Sequence, residues 1–171
     1  MLGKKLKKGD TIGIIAPASC TIYEKVLEAK KNIEDMGYQV ILGECTKKQW
    51  YSYAGTDEER AEEINSFFAD KSIDAIICMR GGYGSNRLIE LLDFEVIKRN
   101  PKIFVGYSDI TTLHIALNEK ANLITFHGPM AVSNFTGNYN RDTYENFIEI
   151  LSNSRDKQSI KNITKELEVL N

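Results

Sequence analysis

The sequence has few cysteines, and their arrangement excludes two kinds of stabilising site. Cys20, Cys45 and Cys78 are odd in number, widely spaced and without a Cys-x-x-Cys pair. The sequence therefore predicts neither a disulfide framework nor a zinc site. Cys78 lies within an apolar run, where a free cysteine is most often a core residue.

The chain also lacks an excess of charge of either sign. Its 22 Lys and Arg residues nearly balance its 24 Asp and Glu residues, which gives a formal net charge of -2. This balance leaves no basic field for nucleic acid, so we expect no nucleic-acid partner. The lysines at positions 4, 5, 7 and 8 are interpreted as a solvated N-terminal arm.

No apolar run is long enough for a membrane span or an export signal. The apolar stretch 12–16 is preceded by Gly9 and Asp10 and followed by Pro17. It is shorter than the roughly seven residues that the apolar part of an export signal needs. We therefore expect a cytoplasmic protein that has no membrane partner.

Short apolar runs alternate with helical patterns, which is typical of an α/β protein. Strands are predicted at 11–15, 39–42, 75–79, 103–107 and 123–127, with helix signals between and after them. Strands that are apolar throughout indicate a parallel sheet covered on both faces. We expect a doubly wound, mainly parallel sheet with helices on both faces, a flavodoxin-like or glutaminase-like three-layer sandwich. It would occupy 1–151, with 152–171 as a linker.

The run 103–113 predicts a sharp turn between a buried strand and a helix. Ser108 lies on this turn, two residues after Gly106. At such a turn a serine is exposed beside free backbone N–H groups that can bind an oxyanion. Ser108 is therefore a candidate nucleophile, although Ile110 stands where the hydrolase elbow has a second glycine. The alternative is that Ser108 is a helix N-cap without a catalytic role.

A glycine-rich loop follows the predicted strand 75–79. It begins with Arg80 and contains Gly81, Gly82 and Gly84. Glycine lets a ligand approach backbone N–H groups, so this loop can donate to an oxyanion or hold a carboxylate beside Arg80. No Lys-Ser or Lys-Thr pair follows, which excludes a P-loop, and the last glycine of a dinucleotide fingerprint is missing.

Two further loops are candidates for the wall of a cleft. The loop 43–55 carries Trp50, Tyr51 and Tyr53, which can either contact substrate or pack locally. Residues 16–19 end the first predicted strand at the sheet edge where Ser108 is expected.

Five ordered blocks of the sequence resemble the LD-carboxypeptidase family, which includes muramoyl-tetrapeptide carboxypeptidases and microcin C self-immunity proteins. The blocks are 9–19, 53–60, 80–84, 106–111 and 125–130. The resemblance implies a serine peptidase with a Ser-Glu-His triad that removes the terminal D-amino acid from murein tetrapeptides. It implies no metal or organic cofactor.

The resemblance also implies a role for individual residues. Ser108 matches the nucleophile, and Gly82 and Asp109 match the positions whose backbone N–H groups form the oxyanion hole. Arg80 and Gly81 lie in the matching loop and are expected to position the substrate.

The family's catalytic glutamate and histidine come from a C-terminal domain, which these 171 residues do not contain. The chain is then either part of a longer polypeptide or a natural half protein, and we expect it to be inactive alone. His114 follows Ser108 by six residues and is interpreted as a partly buried structural residue. His127 closes the predicted strand 123–127, and it is either a candidate base or a structural histidine.

Two other functions remain open at this point. A non-catalytic module could bind a peptide or amino-acid carboxylate with Gly81 and Arg80, and a flavodoxin-like or glutaminase-like domain could share only the fold. For the peptidase, the expected partners are a murein peptide or a microcin-like peptidyl nucleotide, the C-terminal domain of the same protein, and a second copy in a homodimer.

Overall fold

The computed structural model describes residues 1–138 and 141–153. Five parallel strands form one sheet in the order β2-β1-β3-β4-β5. The strands are β1 (Thr11–Ile15), β2 (Gln39–Leu42), β3 (Ala75–Cys78), β4 (Ile103–Gly106) and β5 (Phe126–His127). The predicted parallel α/β sheet is therefore confirmed.

Helices alternate with these strands. They are α1 (Tyr23–Asp35), α2 (Asp57–Ala69), α3 (Phe94–Arg99), α4 (Thr111–Ala121), α5 (Ala131–Asn134) and α6 (Arg141–Ser152). Short 3₁₀ segments cover Glu44–Lys47, Ser85–Leu91 and Ser108–Ile110. Helix α2 begins at a capping box, in which Thr56 accepts from the Glu59 N–H and Glu59 accepts from the Thr56 N–H.

A separate apolar core covers each face of the sheet. On one face, Ile14 and Ile77 pack with residues of α1, α5 and α6, such as Val26. On the other face, Ile76 and Phe104 pack with residues of α2, α3 and α4. The alternation of side chains along each strand produces these two cores, and the result is the expected three-layer sandwich.

Strand β5 is shorter than the predicted 123–127. Asn122 ends α4 in the left-handed conformation, with φ 51°, and the Leu123 N–H donates to the Leu117 carbonyl. The Ile124 N–H donates to the Met1 carbonyl. These amides are committed to the helix end and the N-terminal segment, so pairing with β4 begins only at Phe126.

The order of the strands places a crevice at the carboxyl edge of the sheet. The chain crosses from β2 at one side to β3 on the other side of β1. The loops that leave β1 and β3 therefore diverge, and such a point is where α/β sheets bind ligands. Among the described residues, no helix is both long enough and apolar enough to cross a bilayer. Most of the predicted linker 152–171 lies outside the described residues.

Candidate active site

Loops that follow β1, β3 and β4 meet at the carboxyl edge of the sheet. The Tyr83 N–H donates to Ser19 Oγ over 3.3 Å, which joins the first two loops. A Cβ atom built on Gly81 would lie 3.3 Å from Ser108 Cβ, so the glycine loop also abuts the loop after β4. The structure therefore brings together Ser108, the glycine loop and residues 16–19, as the sequence predicts.

Ser108 lies at a strained and exposed position on the turn. Its φ is +60°, in the left-handed region that residues other than glycine seldom adopt. The turn is tight because a Cβ atom on Gly106 would lie 2.6 Å from Ile110 Cγ2. Ile110 thus packs against the glycine two residues before the serine, which explains why an isoleucine is accommodated at this position.

The N-cap interpretation of Ser108 is wrong. The cap positions of the 3₁₀ segment and of α4 are Tyr107 and Ile110, and neither cap involves a side-chain hydrogen bond. Within the part of the chain that the structure describes, Ser108 Oγ has no hydrogen-bond partner. The hydroxyl is therefore presented to the crevice and does not stabilise a helix end.

The N–H groups of Gly82 and Asp109 have no hydrogen-bond acceptor among the described residues. Gly82 follows Gly81, whose missing Cβ would lie 3.5 Å from Ser108 Oγ, and Asp109 follows Ser108 directly. Gly82 has φ +127°, and a Cβ atom on it would lie 2.1 Å from Ser19 Oγ. Asp109 is held by Ser85, whose N–H donates to Asp109 Oδ2 over 3.0 Å and whose hydroxyl donates to the Asp109 carbonyl over 2.6 Å. Ser85 is fully buried, and this pair of bonds fixes the side chain and the carbonyl of Asp109, the residue that follows Ser108.

Arg80 is the cation nearest in sequence to the glycine loop. Its side chain is half-buried, and Nη1 donates to the Cys20 carbonyl over 3.4 Å. Within residues 1–138 and 141–153, no carboxylate forms a salt bridge with it. The guanidinium can therefore pair with a carboxylate of a bound ligand.

The two histidines lie near the turn but are not bonded to Ser108. His114 Nε2 lies 2.8 Å from the Gly106 carbonyl oxygen, and its ring packs edge-on against Phe104. Burial lowers the pKa of His114 below its ordinary value. His127 is exposed, and its ring centroid lies 6.1 Å from that of Tyr107. His114 is therefore a structural residue, as predicted, and His127 lies at the expected edge.

The aromatic loop divides into a packed residue and two exposed ones. Tyr53 pairs with Ser19 and Trp50 through backbone bridges, and its ring lies 6.3 Å from that of Tyr83. Trp50 and Tyr51 are 53% and 80% exposed. Local packing thus describes Tyr53, whereas Trp50 and Tyr51 are exposed and their rings lie edge-on to each other, with centroids 5.2 Å apart.

Sequence reasoning did not assign Ser85 or Arg60 to the site. Arg60 is buried, and it donates to carbonyls of the loops that follow β1 and β3. Its place in the block 53–60, directly after the capping box, was the available signal. No cluster of three His, Cys, Asp or Glu side chains in the described part of the chain could hold a metal ion.

Comparison with known proteins gives a family match across this site. Residues 12–128 match the family described as LD-carboxypeptidase N-terminal domain. A Bacillus subtilis protein named "Probable murein peptide carboxypeptidase" is 46% identical over 127 residues, which is 74% of this chain and 40% of that protein. The Microcin C7 self-immunity protein MccF of Escherichia coli is 37% identical over 158 residues, or 89% of this chain and 46% of that protein.

Solved structures agree with the sequence matches. MccF in complex with aspartyl sulfamoyl adenosine superposes with a TM-score of 0.86 at 34% identity, covering 91% of this chain and 48% of that one. A muramoyltetrapeptide carboxypeptidase from Oxalobacter formigenes superposes with a TM-score of 0.76 at 32% identity, covering 81% and 47%. The chain thus spans less than half the length of these relatives.

Proposed function

The chain belongs to the LD-carboxypeptidase family, and we propose that it carries the nucleophile and the oxyanion hole of a serine-type carboxypeptidase. The observation that supports this best is the strained, exposed Ser108, whose hydroxyl lies between the glycine loop and the unpaired Asp109 amide. A hydroxyl in this position can attack a carbonyl carbon. The carbonyl oxygen can then accept hydrogen bonds from the Gly82 and Asp109 N–H groups.

In the proposed reaction, Ser108 Oγ attacks the carbonyl that precedes the terminal D-amino acid. The Gly82 and Asp109 N–H groups bind the oxygen of the tetrahedral intermediate, and each such donor is worth on the order of 10²- to 10³-fold in rate. Arg80 and the Gly81 backbone hold the substrate's carboxylate. A histidine oriented by a glutamate, both outside these residues, takes the serine proton and passes it to the leaving amine.

Two substrate classes fit the names of the relatives. The Bacillus subtilis relative is named for a murein peptide, and MccF has been solved with an aspartyl sulfamoyl nucleoside. We propose a murein tetrapeptide, because the relative with higher identity is named for a murein peptide and the Oxalobacter formigenes protein is named for a muramoyltetrapeptide. Cytoplasmic peptidoglycan recycling, a docked C-terminal domain and a homodimer belong to this proposal.

The proposal is tested with a chimera in which residues 1–153 replace the corresponding N-terminal part of the Bacillus subtilis relative. We expect it to release D-alanine from a murein tetrapeptide, and we expect Ser108→Ala to abolish release without changing thermal unfolding. Ser72→Ala, on an exposed turn before β3, is the matched control. Release by Ser108→Ala at the wild-type rate removes Ser108 from the mechanism.

A second candidate function is that of a binding module for a peptide carboxylate. Two observations on the described residues favour it: Arg80 bonds to the Cys20 carbonyl but forms no salt bridge, and Ser108 has no hydrogen-bonded base. A serine-directed fluorophosphonate distinguishes the two functions, because binding alone needs no reactive hydroxyl. Labelling of the chimera at Ser108 supports the peptidase, and peptide binding without labelling supports the module.

A further inference from the structure

Arg60 is a charged side chain without any exposed surface. It projects from α2, and its side chain has 0% relative exposure. Removing a guanidinium from water is costly unless its N–H groups find partners. In the structure, four different residues accept hydrogen bonds from the guanidinium, so its burial is compensated.

The partners of Arg60 belong to separate segments of the chain. Nη1 donates to the Pro17 carbonyl over 2.6 Å and to the Gly84 carbonyl over 3.3 Å. Nε donates to the Thr56 carbonyl over 3.3 Å, and Nη2 pairs with Asp57 over 2.5 Å. One planar group therefore joins the loop after β1, the loop after β3 and the first turn of α2.

Two of the three carbonyls that Arg60 binds belong to the two loops that meet at Gly82. Gly84 is two residues after it, and Pro17 is two residues before Ser19, whose hydroxyl occupies the space beside the Gly82 Cα. Arg60 is thereby bonded both to the loop after β3, which contains Gly82, and to the loop after β1, which Gly82 contacts.

Neighbouring groups keep the guanidinium itself in place. Asp57 also accepts from Arg87 through both carboxylate oxygens, so its position is fixed by two arginines. The ring of Tyr53 lies 5.0 Å from Arg60 Cζ, within the range of a cation–π contact. A lysine could not reproduce this arrangement, because its single ammonium lacks the flat fork of donors.

We propose that Arg60 is a positioning residue that joins the loops after β1 and β3 and so directs the Gly82 N–H toward the oxyanion. The role at the oxyanion rests on the proposed function, whereas the joining of the two loops does not. A displacement of about 1 Å in a group that stabilises the transition state can cost 10²-fold in rate. The Arg60 side chain has no exposed surface that a substrate could contact, so loss of Arg60 should lower kcat more than it raises KM.

The test compares Arg60→Met and Arg60→Lys with Arg99→Met, which removes an exposed arginine at the end of α3. In the 171-residue chain, ¹⁵N relaxation reports the order parameters of residues 81–84. We expect them to fall from about 0.85 to below about 0.6 in Arg60→Met and to stay unchanged in Arg99→Met. Arg60→Lys should give an intermediate value, because it retains the charge without the fork.

The same variants in the chimera measure the consequence for catalysis. We expect Arg60→Met to lower kcat by about 10- to 100-fold, with KM changed less than about threefold. Lower thermal stability with an unchanged kcat would show that Arg60 is only structural. Full kcat in Arg60→Lys would show that charge, not the fork, is what matters.

The two readouts separate this inference from the proposed function. Unchanged order parameters in residues 81–84 of a folded Arg60 variant overturn the proposal that Arg60 joins the two loops, whatever kcat the chimera shows. A wild-type chimera without activity, together with a loosened loop, rejects the carboxypeptidase but retains the joining of the two loops. If Arg60→Met does not fold, Arg60→Lys carries both measurements.

Discussion

Gly82 combines a backbone conformation and a neighbour that together exclude a side chain. Its φ of +127° strains any L-residue, and Ser19 Oγ occupies the place of a Cβ atom at 2.1 Å. In the chimera we expect Gly82→Ala to lower kcat by about 10²- to 10³-fold, because the amide must shift to relieve the contact.

The control for this prediction is Gly9→Ala. Gly9 also has a positive φ, +89°, but nothing lies within 4 Å of its missing Cβ. Its variant should lose stability from backbone strain and keep its kcat. If Gly82→Ala turns over at nearly the wild-type rate, the oxyanion is bound by other donors.

Single residues also show which parts of the site are visible in a sequence. The turn at Ser108 is predictable because a strand, a glycine and a helical stripe are consecutive in the chain. The bonds from Arg60 to Pro17 and Gly84 are not, because they join positions that are 43 and 24 residues apart. No local pattern records such contacts.

At the scale of elements, a buried carboxylate ties α2 to the ends of two strands. Glu63 accepts from the Ala16 N–H, after β1, over 2.9 Å and from the Cys45 N–H, after β2, over 2.7 Å. Glu63 is 7% exposed. Burial raises the pKa of its carboxyl, although the two hydrogen bonds act to lower it. Burial likewise raises the pKa of Cys45 to about 12, so that thiol stays protonated.

The raised pKa of Glu63 predicts a pH dependence of stability. Because the folded state binds the Glu63 proton more tightly than the unfolded state does, protonation of Glu63 stabilises the fold. This stabilisation is complete below the pKa of Glu63 in the unfolded chain, about 4.3, and is lost as the pH rises through its pKa in the folded chain. We therefore expect the free energy of unfolding of wild type, minus that of Glu63→Gln, to decrease as the pH rises from 4 toward 8. Urea unfolding at a series of pH values measures it.

The exposed neighbour Glu62 supplies the control, and Glu62→Gln sets the background slope. A difference that instead grows with pH would mean that the two amide bonds outweigh burial and favour the carboxylate. That outcome would mean that the pKa of Glu63 is lowered, not raised, in the folded state.

Elements were more predictable where their stabilisation is local. The capping box at Thr56 marks the start of α2 in the sequence, and the structure begins α2 at Asp57. The predicted strand 123–127 is longer than β5, because the amides of Leu123 and Ile124 bond to the end of α4 and to the N-terminal segment. Apolar character alone does not distinguish these uses.

For the molecule as a whole, the sheet places Ser108, the proposed nucleophile, at its carboxyl edge, and no base is bonded to it among the described residues. The 171 residues contain two histidines, His114 and His127. His114 is engaged by the Gly106 carbonyl, and burial lowers its pKa, which weakens it as a base. His127 lies beside Tyr107 and is not bonded to Ser108.

We therefore expect the 171-residue chain to fold and to bind ligand at the crevice, yet to release no D-alanine from a murein tetrapeptide. Two cores close on the sheet without help, so folding should not depend on a partner. An unactivated serine hydroxyl is a weak nucleophile, so we expect turnover to need the base that the proposed function places outside these residues. The measurement is D-alanine release by the chain alone, beside the chimera at equal concentration. Sustained release by the chain alone, abolished by His127→Ala, would show that His127 reaches Ser108 when substrate is bound and that this half supplies its own base.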